Sequence, residues 1–185
     1  MAWTTPPTDW SVEGDTLRAR SGDRTDFWQR TFYGFERDDG HALLARRAGS
    51  FSATVTFTGA YQTLYDQAGL MIRVDGTRWI KAGIEWTDGK AHLSVVVTDD
   101  LSDWSAIPVI LAGPMTVRAT RFADAVLLQY RVDGADWAMG RLAPFAAHPD
   151  EVGVGPYLCS PERAGFEATF QGFSVGPPEV EALHG

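Results

Sequence analysis

The sequence has 185 residues, of which 44% are hydrophobic and 22% are charged, and its formal net charge is −8. This length and composition are typical of one globular domain with a substantial core. The negative charge argues against nucleic acid and anionic membranes as main partners, because binding phosphate groups requires clustered lysine and arginine.

The compartment is indicated by the cysteine content and by the absence of targeting segments. Cys159 is the single cysteine, so the chain cannot form an intramolecular disulfide, which fits a reducing environment. The first residues lack the basic segment and apolar core of a secretory signal. No apolar run approaches the roughly 20 residues of a membrane-spanning helix. We therefore expect a cytoplasmic protein without a membrane partner.

Short runs in which apolar and polar residues alternate recur along the chain, which is the pattern of half-buried strands. No segment shows the sustained apolar periodicity of a helix. Residues 10–12 and 16–20 predict a first hairpin. Residues 21–28 predict a polar loop that closes over one end of a sheet, with Phe27 or Trp28 filling the rim of the core. The further predicted strands are residues 40–46, 51–58, 67–74, 79–86, 91–98, 115–121, 126–132, 152–158 and 165–175.

Many short strands with regular turn signals predict an all-β sandwich. We expect a single sandwich domain over residues 1–176 and a flexible C-terminal tail over residues 177–185. Residues 99–105 are polar apart from Leu101 and Trp104, and they predict a loop that carries the tryptophan.

The most regular segment, residues 66–98, predicts a three-stranded meander with turns at Asp75-Gly76 and Asp88-Gly89. A three-residue loop at 75–77 and a two-residue loop at 88–89 keep every apolar set on one side, whereas a slip by one residue would expose it. The first hairpin then pairs Arg73 with Trp79, Met71 with Lys81, Gly69 with Gly83 and Gln67 with Glu85. The second pairs Glu85 with His92, Gly83 with Ser94, Lys81 with Val96 and Trp79 with Thr98.

The face of this meander opposite the apolar sets carries a possible binding surface. Gln67 and Glu85 lie on one side of a nearly bare glycine row, and Lys81 and Trp79 lie on the other side. Facing partners are about 5 Å apart and successive rows about 7 Å apart, so the floor could hold a small polar ring. The alternative is an ordinary solvated sheet face.

Several short motifs occur in one order along residues 10–175. They are Asp26-Phe27-Trp28, residues 66–71, 79–85, 102–105 and 153–161, and Gly165-Phe166. In this combination the chain resembles the family of unknown function typified by the fungal regulation-of-enolase protein. The resemblance implies a concanavalin A-like lectin/glucanase fold, a jelly-roll sandwich of two antiparallel sheets with one concave face. It implies no established reaction.

Lectins and glucanases of this fold point to a carbohydrate or similar small polar ligand on the concave face, bound without catalysis. The predicted ligand-binding residues are Trp28, Gln67, Trp79, Lys81, Glu85, Ser94 and Trp104. The tryptophans would stack on the sugar or wall the site, the amide and carboxylate would bond its hydroxyls, and the lysine would make a cationic contact. Ser94 and His92 are second choices.

Two other functions are compatible with the sequence. Retaining glycosidases need two carboxyl groups about 5–5.5 Å apart, and the predicted strand offers Glu85 alone, so hydrolysis is disfavoured. Glu85 with His92 is nevertheless the candidate acid/base pair of an unassigned carbohydrate-active enzyme. The other alternative is a protein–protein interaction module that regulates a metabolic enzyme, as the family's name hints.

No cofactor or metal is predicted. His41, His92, His148 and His184 lack the spacing of metal ligands, and Cys159 stands alone. The sequence contains no glycine-rich phosphate loop and no nucleophile elbow.

Overall fold

The structure is a computed structural model that describes residues 1–145, 149–180 and 183. These residues form sixteen strands, and no helix among them is long and apolar enough to cross a membrane. The strands are, in chain order, β1 (Ala2–Trp3), β2 (Asp9–Glu13), β3 (Thr16–Arg20), β4 (Phe27–Gln29), β5 (Glu36–Asp38), β6 (His41–Arg47), β7 (Phe51–Gly59), β8 (Gln67–Arg73), β9 (Arg78–Thr87), β10 (Lys90–Asp99), β11 (Leu101–Pro108), β12 (Met115–Arg121), β13 (Ala125–Val132), β14 (Ala138–Pro144), β15 (Val152–Cys159) and β16 (Glu167–Gly176).

Two seven-stranded sheets form the body of the molecule. The first, which we call the site sheet, has the order β1-β6-β15-β8-β9-β10-β11. The second has the order β14-β13-β12-β7-β16-β3-β2, and β4 and β5 form a small separate sheet. Neighbouring strands are antiparallel throughout the described residues. The predicted all-β sandwich of two antiparallel sheets is confirmed.

The main core lies between the two large sheets. The site sheet contributes Ile80, Ala82 and Ile84 from β9, and the second sheet contributes Val55 and Phe57 from β7. All five side chains are almost completely buried, and burying a large apolar side chain contributes about 1.5–3 kcal/mol. The period-two pattern therefore reports correctly which face of β7 and of β9 is inward.

The register predicted for the meander is confirmed in both hairpins. β8 and β9 pair Gln67 with Glu85 and Met71 with Lys81, as a three-residue loop requires. β9 and β10 pair Glu85 with His92, as a two-residue loop requires. The buried apolar sets account for this outcome, because any slip would have turned them towards water.

The polar loop predicted at residues 99–105 is wrong, because most of it is the edge strand β11. Asp100, with φ of 59°, makes a tight turn, and β11 then pairs with β10 from Asp99 opposite Leu101 to His92 opposite Pro108. An edge strand has one free side, so polar residues in it remain solvated, and the sequence shows no strong apolar alternation.

The predicted flexible tail begins at residue 177, but the structure ties Glu179 to the second sheet. The Glu179 backbone N–H donates to Ser52 Oγ at 2.9 Å, and Arg118 donates to Glu179 Oε2 at 2.8 Å. Residues 181, 182, 184 and 185 lie outside the described residues.

The face of the site sheet that looks away from the main core is not the open surface that the sequence predicted. The segment that contains β4 and β5 folds across it and forms a second apolar cluster. Phe27 is fully buried and its ring lies where a side chain on Gly40 would have to be. The cluster consists of Phe27, Trp28, Ala42, Met71, Trp79, Val96, Tyr157 and Cys159. This covering leaves only part of the face accessible, as a cavity.

Candidate functional site

A cavity of about 200 Å³ lies between the site sheet and the segments that fold across it. It is smaller than the roughly 300–1,000 Å³ of pockets for drug-sized ligands, and so suits a guest of about one ring. Its lining residues are Asp26, Trp28, Tyr33, Phe35, Tyr65, Gln67, Lys81, Glu85, Val96, Trp104, Pro161 and Glu162.

A chain of hydrogen bonds holds Glu85 at the floor of the cavity. Trp104 Nε1 on β11 donates to Ser94 Oγ on β10 at 3.1 Å, and Ser94 Oγ donates to Glu85 Oε2 on β9 at 2.8 Å. The chain of bonds therefore runs diagonally across three neighbouring strands, because Glu85 pairs with His92 and Trp104 pairs with Val96. This arrangement fixes one carboxylate oxygen of Glu85, while no hydrogen bond to its Oε1 is found among the described residues.

Burial makes Glu85 an unusual carboxyl group. Only 3% of the residue is exposed, and this desolvation raises its pKa from 4.5 to about 7. The positive charge of Lys81 and the hydrogen bond from Ser94 act in the opposite direction, and the charge of Asp26 adds to the rise. At neutral pH the group therefore exchanges readily between its acid and its carboxylate form.

Gln67 lies opposite Glu85 on β8 and is 4% exposed. Its Oε1 atom is buried and has no hydrogen-bond partner, although the residue lines the cavity. An unsatisfied buried polar group costs about 1–3 kcal/mol. A polar guest in the cavity would remove that cost by bonding to the amide.

Lys81 is held by the covering segment rather than free in the cavity. Its Nζ donates to the Phe27 carbonyl oxygen at 2.9 Å and lies 3.6 Å from Asp26 Oδ1. The ammonium also lies 5.5 Å from the ring centroid of Trp79 and 6.0 Å from that of Tyr157. The positive charge is thus offset by a carboxylate and by two aromatic faces.

Aromatic side chains surround the mouth of the cavity. Tyr33 stacks on Phe35 with centroids 5.5 Å apart and meets the edge of Trp28 at 5.7 Å. On the other side Tyr65 meets Trp104 at 6.3 Å, and its hydroxyl lies 3.1 Å from that of Tyr33. We call Trp28, Tyr33, Phe35, Tyr65 and Trp104 the aromatic rim.

The rim stands on backbone that is locally strained. Arg30, Phe32 and Tyr65 have φ of 56°, 64° and 64°, a region that residues other than glycine seldom adopt. Phe32 is also 93% exposed. Such strain is concentrated at functional sites, where the surrounding structure holds it in place.

Asp66 anchors the wall that carries Tyr65, Pro161 and Glu162. Its carboxylate accepts hydrogen bonds from Arg163 at 2.6 and 3.1 Å and from Ser160 Oγ at 2.7 Å. Burial alone would raise the pKa of Asp66, but these bonds, with two backbone N–H groups at residues 62 and 63, hold it below its ordinary value. The carboxylate therefore joins the connection after β7 to the one after β15.

The structure brings five predicted ligand-binding residues to the cavity, namely Trp28, Gln67, Lys81, Glu85 and Trp104. Ser94 lies directly behind Glu85 as its hydrogen-bond donor. Trp79 does not line the cavity, because Phe27 packs against it and leaves it fully buried. His92 is buried too and does not line the cavity; its Nδ1 lies 3.3 Å from the Lys90 carbonyl oxygen.

Sequence reasoning did not assign Asp26, Tyr33, Phe35, Tyr65 and Glu162 to the site. Asp26 is the first residue of Asp26-Phe27-Trp28, which is one of the motifs that carry the resemblance. Glu162 directly follows another of these motifs, residues 153–161. Tyr33, Phe35 and Tyr65 lie in irregular segments, where periodicity carries no signal. Their meeting depends on how these segments fold over the sheet.

No group of three or more His, Cys, Asp or Glu residues in the described part of the chain could hold a metal ion. His41 is occupied, since its Nε2 accepts from the Gly22 N–H at 2.9 Å and its Nδ1 lies 2.8 Å from the Thr5 carbonyl oxygen. His148 and His184 lie outside the described residues. Cys159 is a buried free thiol whose pKa is raised, first of all by that burial.

The two antiparallel sheets define a jelly-roll β-sandwich, the fold that the resemblance implied. Solved structures with this fold include a GH43 protein from Bacillus licheniformis, with a TM-score of 0.70 and 15% identity over 91% of this chain and 35% of that one. The carbohydrate-binding module CBM66 from Bacillus subtilis has a TM-score of 0.61 and 14% identity over 94% of both chains. At these identities the similarity establishes the fold alone.

The chain belongs to the family described as protein of unknown function DUF1349, whose model matches residues 3–178. It is 42% identical over 183 residues to Regulation of enolase protein 1 of Saccharomyces cerevisiae, covering 98% of this chain and 92% of that protein. A crystal structure of a functionally unknown protein from Saccharomyces cerevisiae has a TM-score of 0.91 and 40% identity over 97% of both chains. The predicted resemblance is confirmed.

Proposed function

We propose that the cavity beside Glu85 binds a carbohydrate ring or a similar small polar ligand. The observation that carries the proposal is the buried amide of Gln67, which lines the cavity and leaves its Oε1 without a partner. Eight buried side-chain atoms in the described residues lack a hydrogen-bond partner, and Gln67 Oε1 is the one whose residue lines this cavity, where a ligand hydroxyl would be a suitable partner. The proposal includes a cytoplasmic setting, which the single cysteine of the sequence predicts.

The aromatic rim supports a ring-shaped guest. A tryptophan or tyrosine ring offers an apolar face to the C–H side of a sugar, while polar groups bond its hydroxyls. Trp104 suits this role because it is 37% exposed and is positioned by its hydrogen bond to Ser94. The shared fold with a carbohydrate-binding module is consistent with the proposal.

Titration of the protein with a panel of pentoses and hexoses tests the proposal. Calorimetry reports binding directly, and tryptophan fluorescence should respond because Trp28 and Trp104 line the cavity. We expect saturable binding of at least one sugar. Gln67→Leu should weaken that binding at least tenfold, because the sugar hydroxyl that bonds to the amide would be buried without a hydrogen-bond partner.

The matched control for Gln67→Leu is Gln171→Leu, which makes the same change at an exposed position of β16 in the second sheet. Likewise, Trp10→Ala on β2 is the control for Trp104→Ala. Sugar binding should survive both control changes. Absence of binding by every sugar in the panel, or binding that both Gln67→Leu and Trp104→Ala leave intact, would contradict the proposal.

A second candidate function, acid/base catalysis on a bound sugar, is favoured by the pKa of Glu85. A carboxyl group with a pKa of about 7 can both donate and accept a proton at neutral pH. Asp26 and Glu162 also line the cavity and supply further carboxyl groups. Sugar turnover that Glu85→Gln abolishes would support catalysis, whereas binding without any turnover would leave the binding function alone.

A further inference from the structure

The charges that line the cavity are unequal. Lys81 is the single lysine or arginine among the lining residues, against the carboxyl groups of Asp26, Glu85 and Glu162. The ammonium of Lys81 is 3.6 Å from Asp26 Oδ1, so these two charges largely offset each other. Neither Glu85 nor Glu162 forms an ion pair within the described residues, although the charge of Lys81 still acts to lower the pKa of Glu85.

The charged and indole N–H donors around the cavity already have partners within the protein. Lys81 Nζ donates to the Phe27 carbonyl oxygen, and Trp28 Nε1 donates to the Thr31 carbonyl oxygen at 3.0 Å. Trp104 Nε1 donates to Ser94, which in turn donates to Glu85. These three N–H donors are therefore turned towards the protein itself, whereas Gln67 Nε2 makes no hydrogen bond within the described residues.

The acceptors, in contrast, are free. Gln67 Oε1 is buried and has no partner, and Glu85 uses only Oε2 in a hydrogen bond within the described residues. Gln67 and Glu85 are cross-strand partners, so both acceptors face the same space. A guest that brings donors would satisfy both of these acceptors.

The walls also favour positive charge. All five side chains of the aromatic rim line one small cavity, and the face of an aromatic ring attracts a cation. The charges of Glu85 and Glu162 both act on the Tyr65 hydroxyl, whose pKa is raised first by its hydrogen bond with Tyr33 and by burial. The negative field of both carboxylates therefore extends to the rim.

From these observations we infer that the ligand carries a protonated primary amine, as an amino sugar does, and that its ammonium binds between Gln67 and Glu85. The inference rests on the proposed function and narrows its ligand class. A primary ammonium supplies three N–H donors for the free acceptors, and its charge neutralises the carboxylate. A quaternary ammonium has the charge without the donors, and a neutral sugar has donors without the charge.

Proton release distinguishes this mode of binding from ordinary sugar binding. Glu85 has a pKa of about 7, so it is about half protonated in the free protein at pH 7. An ammonium beside it stabilises the carboxylate, and the site then loses about half a proton when the ligand binds. A neutral sugar carries no charge that stabilises the carboxylate, so its binding should release no proton.

Calorimetry at pH 7, in buffers of different ionisation enthalpy, tests the inference. The probes are 6-amino-6-deoxyglucose, whose aliphatic amine is protonated at this pH, its N-acetyl derivative, glucose and choline. We expect the amino sugar to bind at least tenfold more tightly than the other three, with release of about half a proton. Glu85→Gln, which keeps an acceptor for Ser94, should abolish both the preference and the proton release.

Glu162→Gln is a second variant at an exposed position of the cavity mouth, and it should reduce the preference severalfold. Glu13→Gln, on an exposed edge of the second sheet, should change nothing. Equal or tighter binding of glucose would overturn the ammonium inference and leave the proposed function standing. Tighter binding of choline would overturn the role of the free acceptors. Failure of every sugar to bind would contradict the proposed function and the inference with it.

Discussion

Lys81 Nζ donates a hydrogen bond of 2.9 Å to the carbonyl oxygen of Phe27, a residue 54 positions away in the sequence. The bond ties β9 of the site sheet to the segment that folds across it. The ring of Phe27 fills the space beside Gly40 and meets Trp79 in an edge contact. This single contact helps to decide which part of the sheet face is filled and which part remains a cavity.

Replacing Lys81 by methionine should destabilise the fold. The change removes the bond to Phe27 and leaves Asp26 buried without its cation, and breaking a buried pair in this way typically costs about 3–5 kcal/mol. Chemical denaturation measures the loss. Lys90→Met, at an exposed position of β10, should have an effect within about 0.5 kcal/mol.

The same experiment has an internal check in the double variant. Adding Asp26→Asn to Lys81→Met removes the stranded charge, so the double variant should regain part of the lost stability. If Lys81→Met alone were as stable as the parent protein, the ammonium would not be holding the covering segment.

Asp66→Asn should be far more damaging than Asp38→Asn. Asp66 is fully buried and accepts from Arg163, Ser160 and two backbone N–H groups, so losing its charge should cost about 3 kcal/mol or more. Asp38 also forms a two-bond pair, with Arg73, but it is 39% exposed, and such pairs contribute about 0–1 kcal/mol. Urea unfolding of the two variants compares them directly.

The low pKa of Asp66 adds a pH signature to this comparison. A carboxyl group whose pKa is depressed in the folded state contributes stability above its unfolded pKa, and that contribution is lost as pH falls through the folded value. The parent protein should therefore lose stability below about pH 4. Asp66→Asn should lack this component, while Asp38→Asn should retain it.

Glu85→Gln should change the pH dependence of stability in the opposite sense. Because the pKa of Glu85 is raised from 4.5 to about 7, its contribution is fully present below about pH 4.5 and is lost as pH rises through 7. The amide is never ionised, so the variant should gain on the parent across this window, by on the order of 3 kcal/mol at pH 8. Thermal unfolding between pH 4 and pH 8 measures the difference; a constant offset would contradict the raised pKa.

Gly83→Ala should destabilise the site sheet. A Cβ at Gly83 would lie well inside van der Waals contact with the Ala68 carbonyl oxygen of the neighbouring strand, so backbone would have to move. Overpacking of this kind typically costs about 1–3 kcal/mol. Gly176→Ala, at the exposed end of β16 with nothing within 4 Å of the added Cβ, is the control and should be close to neutral. Similar unfolding midpoints for the two variants would show that the strands can separate at no cost.

Within the meander, local sequence was sufficient. The alternation of Ile80, Ala82 and Ile84 with Lys81 and its neighbours, together with two turn signals, set both the faces and the register. These features are local, because a strand's side chains alternate whatever lies above the sheet. The same rule places Gln67 beside Glu85 from local sequence alone.

Tertiary structure alone decided what covers that face. The side chains of Trp79 and Gln67 point to the same face of the site sheet from neighbouring strands. Trp79 is nevertheless buried under Phe27, whereas Gln67 lines a cavity. Asp26, the aromatic rim and Glu162 reach the site through long-range contacts such as those of Lys81 and Asp66. The period of a strand determines to which face of the sheet each side chain points. Whether that face is covered or left open as a cavity depends on irregular segments that are distant in sequence.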